Sequence, residues 1–340
     1  MILLEQPNDN IFSFILVYGI ISKKTIKIEK FKKNNFITSF LNLIEKITVN
    51  TKYEIKENFV FYPGDIYGGK HIHDCLVYNI SIYIIPLLIL APFTKKEMQI
   101  TFTGITNNRQ TSIDMIRLAY LKVLKDFGVE NIEIKILKRG FEPEGKGEVF
   151  FRCGNVEFLN NIEKSREEKL IKIRGMVVGS KINSSIPHSL IELIKDGVTN
   201  FTENVKVYTD LRTSTSSGPS PGYQLILYAE GKKTFYFSEE LGDERLCSSL
   251  VTKAIGDLIK SIKNSESYDV KVLPLVFTFL ALTSHNVSEI RIRKIGEDCK
   301  IILNYLKIFF SYRYSFKREE KNKIINSFGN GYRNIYRTIK

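Results

Sequence analysis

Residues 98–104 (MQITFTG) begin the clearest structural unit of this sequence. Their apolar residues alternate with polar ones, which predicts a half-buried β-strand. Thr111 or Ser112 is then placed to cap a helix that ends at Gly128. Two further strands complete the unit, at 132–137 and 148–152.

The same order of elements recurs on both sides of this unit. Towards the N-terminus, the apolar patterns predict two short strands within 12–29, a helix at 36–47, a strand at 53–62 and a helix at 74–90. From Lys169 onwards they predict a strand, helices near 244–262 and 268–283, a strand at 289–293, a helix at 297–309 and a strand at 311–316. Units of about 70 to 80 residues that recur in this way indicate an internal repeat within an α/β fold.

The third repeat is interrupted at about residues 180–240. This segment is predicted to contain a helix at 189–201, a strand at 205–209, a Ser, Gly and Pro-rich loop at 214–222, and strands at 224–230 and 234–238. A self-contained set of elements inside another pattern indicates a small inserted α/β domain. We therefore predict a main domain formed by 12–179 and 241–340, with the insertion at 180–240.

Composition and charge restrict the function classes. Of the 340 residues, 43% are hydrophobic and 26% are charged, which excludes a wholly disordered chain. Four cysteines are too few for a disulfide scaffold. No apolar run reaches the roughly 18 residues of a membrane-spanning helix. The formal charge of +13 favours a polyanionic partner such as nucleic acid, although a genome biased towards Ile, Lys and Asn would produce part of the same excess.

Residues 140–147 (GFEPEGKG) nearly match a phosphate-binding P-loop. The match fails because Gly147 stands where a Ser or Thr hydroxyl would hold magnesium, and because a strand rather than a helix follows. Two interpretations stay open. Either Lys138, Arg139 and Lys146 flank exposed amides that bind a phosphate, or the segment is a tight glycine turn between paired strands.

Two other motifs are weaker. Residues 218–222 (GPSPG) have the spacing of a nucleophile elbow, but a loop precedes the serine and a strand follows it, which is wrong for that turn. Residues 71–75 (HIHDC) group metal-capable side chains, yet a structural zinc site usually takes its ligands from two clusters, and the other cysteines supply no second one. We expect turns or loops in both places, and we predict no catalytic residue and no metal ligand.

A series of short motifs runs in order along residues 12–336. They are Tyr62-Pro-Gly-Asp-Ile-Tyr-Gly-Gly69, His73-Asp-Cys75, Leu90-Ala-Pro-Phe-Thr-Lys-Lys96, Thr103-Gly-Ile-Thr-Asn107, Ser112-Ile-Asp-Met-Ile-Arg117, Lys138-Arg-Gly140, Gly145-Lys-Gly-Glu-Val149, Ile173-Arg-Gly175, Tyr208-Thr-Asp210, Ser217-Gly-Pro-Ser-Pro-Gly222, Ala229-Glu230 and Gly329-Asn-Gly-Tyr-Arg-Asn334. Each motif alone is weak. Together they resemble the RNA 3′-terminal phosphate cyclase family, in particular its eukaryotic cyclase-like branch.

The resemblance implies three βαβαββ-type repeats in one large α/β domain, with a small α/β domain inserted in the third repeat. Cyclases of this family form a covalent AMP on a histidine near the C-terminus. The matching region here, 295–309, contains no histidine. An imidazole is needed to form and release that phosphoramidate, so the resemblance implies a protein that is not an enzyme and that uses no cofactor.

The cyclase-like branch also lacks this chemistry, and its members act in the nucleolus in early pre-rRNA processing for the small ribosomal subunit. The resemblance therefore implies a scaffold bound to a ribosome-assembly GTPase. Pre-rRNA and box C/D snoRNP components of the small-subunit processing complex are the further partners implied, and a membrane is not. We predict RNA or anion contacts at seven residues: Arg117, Lys138, Arg139, Lys146, Arg174, Ser220 and Lys307.

An RNA-processing enzyme is the alternative. The branch's Arg-Asp-x-Lys element, which has been proposed to support an RNA cut, corresponds here to Asn304-Tyr-Leu-Lys307, so only Lys307 remains. Tyr305 cannot supply the carboxylate that a metal-assisted cut would need. A cyclase would need a displaced histidine, for which His285 is the candidate. A third hypothesis is a protein-interaction module without an RNA partner.

Overall fold

The computed structural model describes residues 1–199, 201, 204–242, 247–319 and 321–337. The fold is mixed α/β. Three sheets share one topology, in which two parallel strands are joined through a helix and two antiparallel strands complete the sheet. Among the described residues, no helix combines the length and the apolar character needed to cross a bilayer.

The first unit occupies the N-terminal part of the chain. Its elements are β1 (Ile2–Leu4), α1 (Asp9–Ser22), β2 (Ile26–Ile28), α2 (Asn35–Ile47), β3 (Thr48–Val49), β4 (Lys52–Ile55) and β5 (Phe59–Tyr62). The strand order is β1-β2-β5-β4, with β1 parallel to β2. The short β3 lies outside this sheet and pairs with β6 (Asp65–Ile66).

The second unit repeats this arrangement. Its elements are β7 (Gly69–Asn79), α3 (Ser81–Leu90), β8 (Met98–Ile105), α4 (Ile113–Met115), a π-helical turn (Ile116–Tyr120), α5 (Leu121–Asp126), β9 (Ile132–Lys138) and β10 (Gly147–Cys153). The strand order is β7-β8-β10-β9. Ser112 caps the helix, because its side chain accepts from the Met115 amide. The strand, cap and helix predicted from residues 98–128 are therefore confirmed.

The third unit starts with β11 (Glu163–Lys164) and is then split by an inserted sheet. The inserted elements are β12 (Leu170–Ser180), α6 (Ser185–Val198), β13 (Val205–Arg212), β14 (Gly222–Gly231), β15 (Phe235–Leu241) and α7 (Cys247–Asn264). The strand order is β13-β12-β14-β15. The helix predicted at 244–262 is α7, although residues 243–246 lie outside the described part.

The remainder of the third unit follows the insertion. It consists of α8 (Leu273–Leu282), β16 (Val287–Ile292), α9 (Glu297–Phe310), β17 (Arg313–Arg318) and β18 (Lys323–Phe328), in the sheet order β11-β16-β18-β17. The predicted fold, three βαβαββ repeats with an α/β insertion in the third, is confirmed.

Two hydrophobic clusters follow this division. The larger one joins residues of all three units. The smaller one lies between the inserted sheet and the two helices α6 and α7. The inserted sheet with its helices extends beyond the insertion predicted at 180–240, because β12 is one of its two central strands and α7 packs on one face. Its other face contributes Ile226, Phe235 and Phe237 to the larger cluster.

The prediction of two strands within 12–29 was wrong for its first part, which is the helix α1. Asn8 caps this helix by accepting from the Ile11 amide, and Lys23 ends it in the left-handed conformation. Every residue from Ile11 to Ile21 is buried. A helix buried on all sides has no polar face, so the helical period is absent from its sequence.

Two neighbouring predictions were also corrected. Residues 74–79 are the end of β7, so the helix predicted from Asp74 begins only at Ser81. The strand predicted at 53–62 is a hairpin, in which β4 and β5 pair antiparallel on either side of a turn at 56–58. In the first segment, Cys75 to Tyr78 are apolar like the helix that follows, whereas in the second the three polar residues at 56–58 mark the turn.

Candidate functional site

Arg139 is the centre of a buried polar junction between the second unit and the inserted sheet. It follows β9, and its side chain is fully buried. Its guanidinium donates to Asp114 Oδ2 at 2.6 Å, to Asp210 Oδ2 at 2.7 Å and to Asn107 Oδ1 at 2.8 Å. A charge removed from water needs such partners, so these contacts make the burial of Arg139 tolerable.

The two carboxylates come from opposite sides of the junction. Asp114 lies in the first turn of α4, and Asp210 lies near the end of β13. Burial alone would raise the pKa of Asp114, but Arg139 holds it below its ordinary value. Burial alone would lower the pKa of Arg139, but Asp114 and Asp210 raise it above its ordinary value. All three groups are therefore charged at neutral pH.

A chain of polar side chains extends the junction into the inserted sheet. Asn107 Nδ2 donates to Gln224 Oε1 at 2.7 Å, and Gln224 Nε2 donates to Glu239 Oε2 at 3.3 Å. Glu239 in turn accepts from the amide and the hydroxyl of Ser112, although burial raises the pKa of Glu239. Since each group is held by the next, the network fixes the inserted sheet on the second unit.

The glycine-rich segment 140–147 lies against the loop at 213–222. Gly218 N donates to the carbonyl oxygen of Arg139 at 2.6 Å. A Cβ at Gly218 would lie 1.9 Å from the carbonyl oxygen of Gly145, so only glycine permits this approach. The two loops are thus held together at the backbone of Arg139.

Backbone amides of 140–147 are engaged inside the protein. Gly145 N donates to the carbonyl oxygen of Phe141 at 2.9 Å, and Glu144 N donates to Ser220 Oγ at 3.2 Å. A phosphate nest would need such amides to point towards solvent. Of the two interpretations of this segment, these contacts favour the tight glycine turn.

The seven predicted contact residues do not form one cluster. Arg117 lies 3.6 Å from Asp114 Oδ1 and is thereby joined to Arg139 through a shared carboxylate. Lys138, next to Arg139 in sequence, is half-buried at the end of β9. Arg139 itself does not reach solvent in this structure.

The other four residues lie apart from that group or are shielded. Ser220 is buried, while Lys146 in the facing loop is exposed. Arg174 on β12 donates to the carbonyl oxygen of Asn204 at 2.9 Å. Lys307 is exposed on α9, with its Nζ 5.0 Å from the centre of the Tyr314 ring.

Sequence reasoning missed the acidic and amide partners of Arg139. Asp114 and Asp210 belong to two of the motifs that carry the family resemblance, and Asn107 ends a third. The motifs therefore contained all three partners, but the candidate contacts chosen from the sequence were mainly basic residues. The two aspartates lie 25 and 71 positions from Arg139, so local sequence does not reveal the pairing.

A half-open cavity of about 320 Å³ is lined mainly by α1, α3, α8 and α9. Its polar lining includes Asn10, Gln110, Lys271 and Asp298. The helix α9, which the family resemblance led us to expect opposite the cyclases' nucleotide-accepting histidine, contributes Asp298 and Ile302. No histidine is among the described residues that line this cavity.

His285 lies instead against the C-terminal segment. Its Nδ1 is 3.3 Å from the carbonyl oxygen of Gly329, and its ring is stacked on Phe328 with a centroid distance of 6.2 Å. A Cβ at Gly331 would lie 2.4 Å from His285 Nε2, so that nitrogen also faces backbone. These contacts confine the imidazole outside the lining of the cavity.

A second histidine, His73, lies beside a potential nucleophile. Its Nε2 is 3.1 Å from Ser39 Oγ, and both side chains are buried. Burial lowers the pKa of His73 to about 4, so its ring is neutral at physiological pH. The adjacent Asp74 accepts from the Leu76 amide and the Thr103 hydroxyl. The pair therefore lacks the orienting carboxylate of a serine–histidine nucleophile.

The histidine and cysteine side chains of 71–75 are spread out along the extended strand β7. His71 Nε2 is 2.8 Å from the carbonyl oxygen of Gly68, and Cys75 is fully buried four residues further along β7. In the part of the chain that the structure describes, no three His, Cys, Asp or Glu side chains converge as metal ligands would.

Comparison with known proteins bears on the family. The sequence profile described as RNA 3′-terminal phosphate cyclase matches residues 9–316. The chain belongs to the RNA 3′-terminal phosphate cyclase family. The family resemblance inferred from the motifs is thereby confirmed.

Relatives from several eukaryotes resemble the chain over most of its length. An RNA 3′-terminal phosphate cyclase-like protein of Mus musculus is 30% identical over 356 residues, covering 96% of this chain and 95% of the relative. An rRNA processing protein of Schizosaccharomyces pombe is 32% identical over 323 residues, covering 90% and 88%. An rRNA processing protein of Saccharomyces cerevisiae is 29% identical over 318 residues, covering 88% and 87%.

Proposed function

We propose that this chain is a catalytically inactive member of the family that acts as a scaffold in early pre-rRNA processing for the small ribosomal subunit. One observation carries the proposal. Where α9 meets the cavity, the chain supplies Asp298 and Ile302 and no imidazole. A carboxylate and an alkyl group cannot form the phosphoramidate through which a cyclase transfers AMP.

The names of the relatives support the processing role. The two yeast relatives are rRNA processing proteins, and the mouse relative is called cyclase-like rather than a cyclase. These similarities extend over at least 88% of this chain. We therefore infer that this chain serves rRNA processing rather than the repair or closure of RNA ends.

We further propose a ribosome-assembly GTPase as the direct partner, with pre-rRNA and box C/D snoRNP components close by in the nucleolus. The charge of +13 supports contact with RNA, and the accessible candidates are Arg117, Lys138, Lys146, Arg174 and Lys307. Ser220 and Arg139 are buried, so we assign them to holding together the loops at 140–147 and 213–222, of which the first carries Lys146.

Incubation with labelled ATP tests the loss of cyclase chemistry. We expect no stable AMP adduct and no cyclic phosphate on RNA ends. An adduct lost in His285→Ala but kept in His188→Ala, which changes an exposed histidine of α6, would overturn the proposal in favour of a cyclase. Cleavage of pre-rRNA lost in Lys307→Ala but kept in Lys300→Ala on the same helix would favour a nuclease.

Depletion and co-purification test the processing role. We expect loss of the chain to cause small-subunit precursors to accumulate, and the tagged chain to recover a large nucleolar GTPase and pre-rRNA. If about six phosphates are contacted, RNA affinity should fall about a thousandfold between 50 and 200 mM salt. A salt dependence near zero would show that the basic surface serves a protein partner instead.

A further inference from the structure

A groove rich in lysine and arginine lies between the inserted unit and the third sheet. It consists of two open cavities, of about 580 and 420 Å³, that share Lys263, Asn264 and Arg293 and are therefore continuous. The helix α7 forms one wall, and the end of β16 with the β17–β18 hairpin forms the other. We call this the basic groove; its basic residues are Lys260, Lys263, Arg291, Arg293, Lys294 and Lys321.

The four lysines of the basic groove are its exposed cations. Lys260, Lys263, Lys294 and Lys321 are exposed, and none of them makes an ion pair with another described residue. Among the described lining residues, the acidic ones are Glu167 and Glu319. Positive charge is therefore in excess within a concave surface, where the field is stronger than on a flat one.

The two arginines are held in place by the protein. Arg293 donates through Nη1 to Asn264 Oδ1 at 3.0 Å. Arg291, which is 8% exposed, donates through Nε to the carbonyl oxygen of Ser165 at 2.8 Å, and its Nη1 lies 3.7 Å from Glu167. The arginines thus form a fixed base, and the flexible lysine side chains stand above it.

We infer that the basic groove binds the phosphate backbone of single-stranded RNA. A positively charged groove that follows the backbone is the common element of single-strand recognition. No aromatic side chain is among the described residues lining it, so contact is through phosphates and independent of base sequence. The inference rests on the proposed function, for which it names the RNA-binding surface.

A structural explanation competes with this one. Lys260 and Lys263 lie in the last two turns of α7, where positive charge stabilises the free carbonyl groups of a helix end. That explanation covers neither Lys294 nor Lys321, which approach from the other wall. It predicts that removing the charge lowers stability and leaves RNA binding unchanged.

The test uses the full chain and the double variant Lys263→Glu/Lys294→Glu. The matched control is Lys52→Glu/Lys56→Glu, which makes the same change of charge at two exposed lysines of the first sheet and its turn. Binding of a labelled single-stranded RNA is measured by anisotropy between 50 and 200 mM salt. We expect the groove variant to lose at least about tenfold in affinity and to reduce the salt slope by about 1 to 2. The control should lose no more than about threefold.

Several outcomes would overturn the inference. An equal loss in both variants would mean that total charge, and not the groove, attracts RNA. Unchanged RNA binding with a lower melting temperature would establish the helix-end explanation. Unchanged RNA binding with loss of a protein partner would assign the groove to an acidic protein surface.

A complementation experiment separates this failure from failure of the proposed function. Cells depleted of the chain receive either the wild type or the groove variant, and pre-rRNA species are measured. If the wild type and the groove variant restore processing equally well, the groove inference fails while the processing role stands. If the wild type has no effect on pre-rRNA, the processing role fails, and RNA binding by the groove is decided by the anisotropy measurement alone.

Discussion

The Arg139 junction and the basic groove contain the same kinds of cationic side chain in opposite settings. At the junction, Arg139 is fully buried and faces two carboxylates within 2.7 Å. In the groove, four lysines are exposed without an ion-pair partner in the described part of the chain. The comparison shows that the supply of acidic partners separates architectural cations from those free to bind a polyanion.

The difference also changes what each region contributes to stability. A buried charge that loses its partner costs several kcal/mol, because the remaining charge is left without solvent. An exposed lysine without a partner contributes little to folding. Substitutions at the junction should therefore lower the free energy of unfolding strongly. Substitutions in the groove should leave stability almost unchanged and alter RNA binding instead.

The largest effect is expected from Arg139→Met, which keeps much of the side-chain volume and removes the charge. Asp114 then stays buried without its main partner, so the free energy of unfolding should fall by about 3–5 kcal/mol. Urea denaturation measures this change. Arg174→Met on β12 is the control, and a half-exposed arginine there should cost less than about 1 kcal/mol. If Arg139→Met lowers the free energy of unfolding no more than Arg174→Met does, the junction has no architectural role.

A smaller effect is expected from Gly218→Ala. The new Cβ would meet the carbonyl oxygen of Gly145 and push the two loops apart, at a cost of about 1–3 kcal/mol. Gly256→Ala in α7 is the matched control, because nothing lies within 4 Å of its Cβ position. That change should stabilise the helix by about 0.5–1 kcal/mol. Relative to the wild type, the melting temperature should fall in Gly218→Ala and rise in Gly256→Ala. Equal shifts in the two variants would contradict the comparison.

The smallest expected change in stability is the one that Asp210→Asn causes on acidification. The pKa of Asp210 is lowered, because Arg212 and Arg139 outweigh the burial that would raise it. Its stabilising contribution is therefore present above the unfolded value near 4 and is lost as the pH falls through the lower folded value. We expect Asp210→Asn to be less stable than the wild type at pH 7 and to lose less stability on acidification below about pH 4. The variant Lys263→Glu/Lys294→Glu is not suitable as a reference here, since glutamates titrate in this range; Lys263→Ala should keep the wild-type profile.

Parts of the fold could be predicted because their sequence shows a period or a cap. In the second unit, β8 alternates and Ser112 accepts from the amide three residues later, so both elements are visible locally. The helix α1 gave no such signal, because burial on all sides leaves no polar stripe. The end of β7 was misassigned because Cys75 to Tyr78 are apolar like most of α3, and only Asn79 and Ser81 separate the two runs.

The candidate site was harder to predict than the fold. Lys138 and Arg139 are adjacent basic residues, yet one is half-buried at a strand end and the other is fully enclosed. What encloses Arg139 is supplied by α4 and β13, which are distant in sequence. The basic groove likewise combines residues from α7, β16 and the β17–β18 hairpin, so no window of sequence contains it.

The division of the third repeat has a consequence for the order in which the chain assembles. The parallel neighbours β11 and β16 are separated in sequence by the whole inserted sheet and its helices. The two ends of the insertion meet where Ser265 Oγ donates to Glu167 at 2.6 Å. Once the inserted sheet is compact, it shortens the effective loop between β11 and β16 and lowers the entropy lost in joining them. The third repeat, which is synthesised last, thus depends on the folded inserted sheet to bring β11 and β16 together.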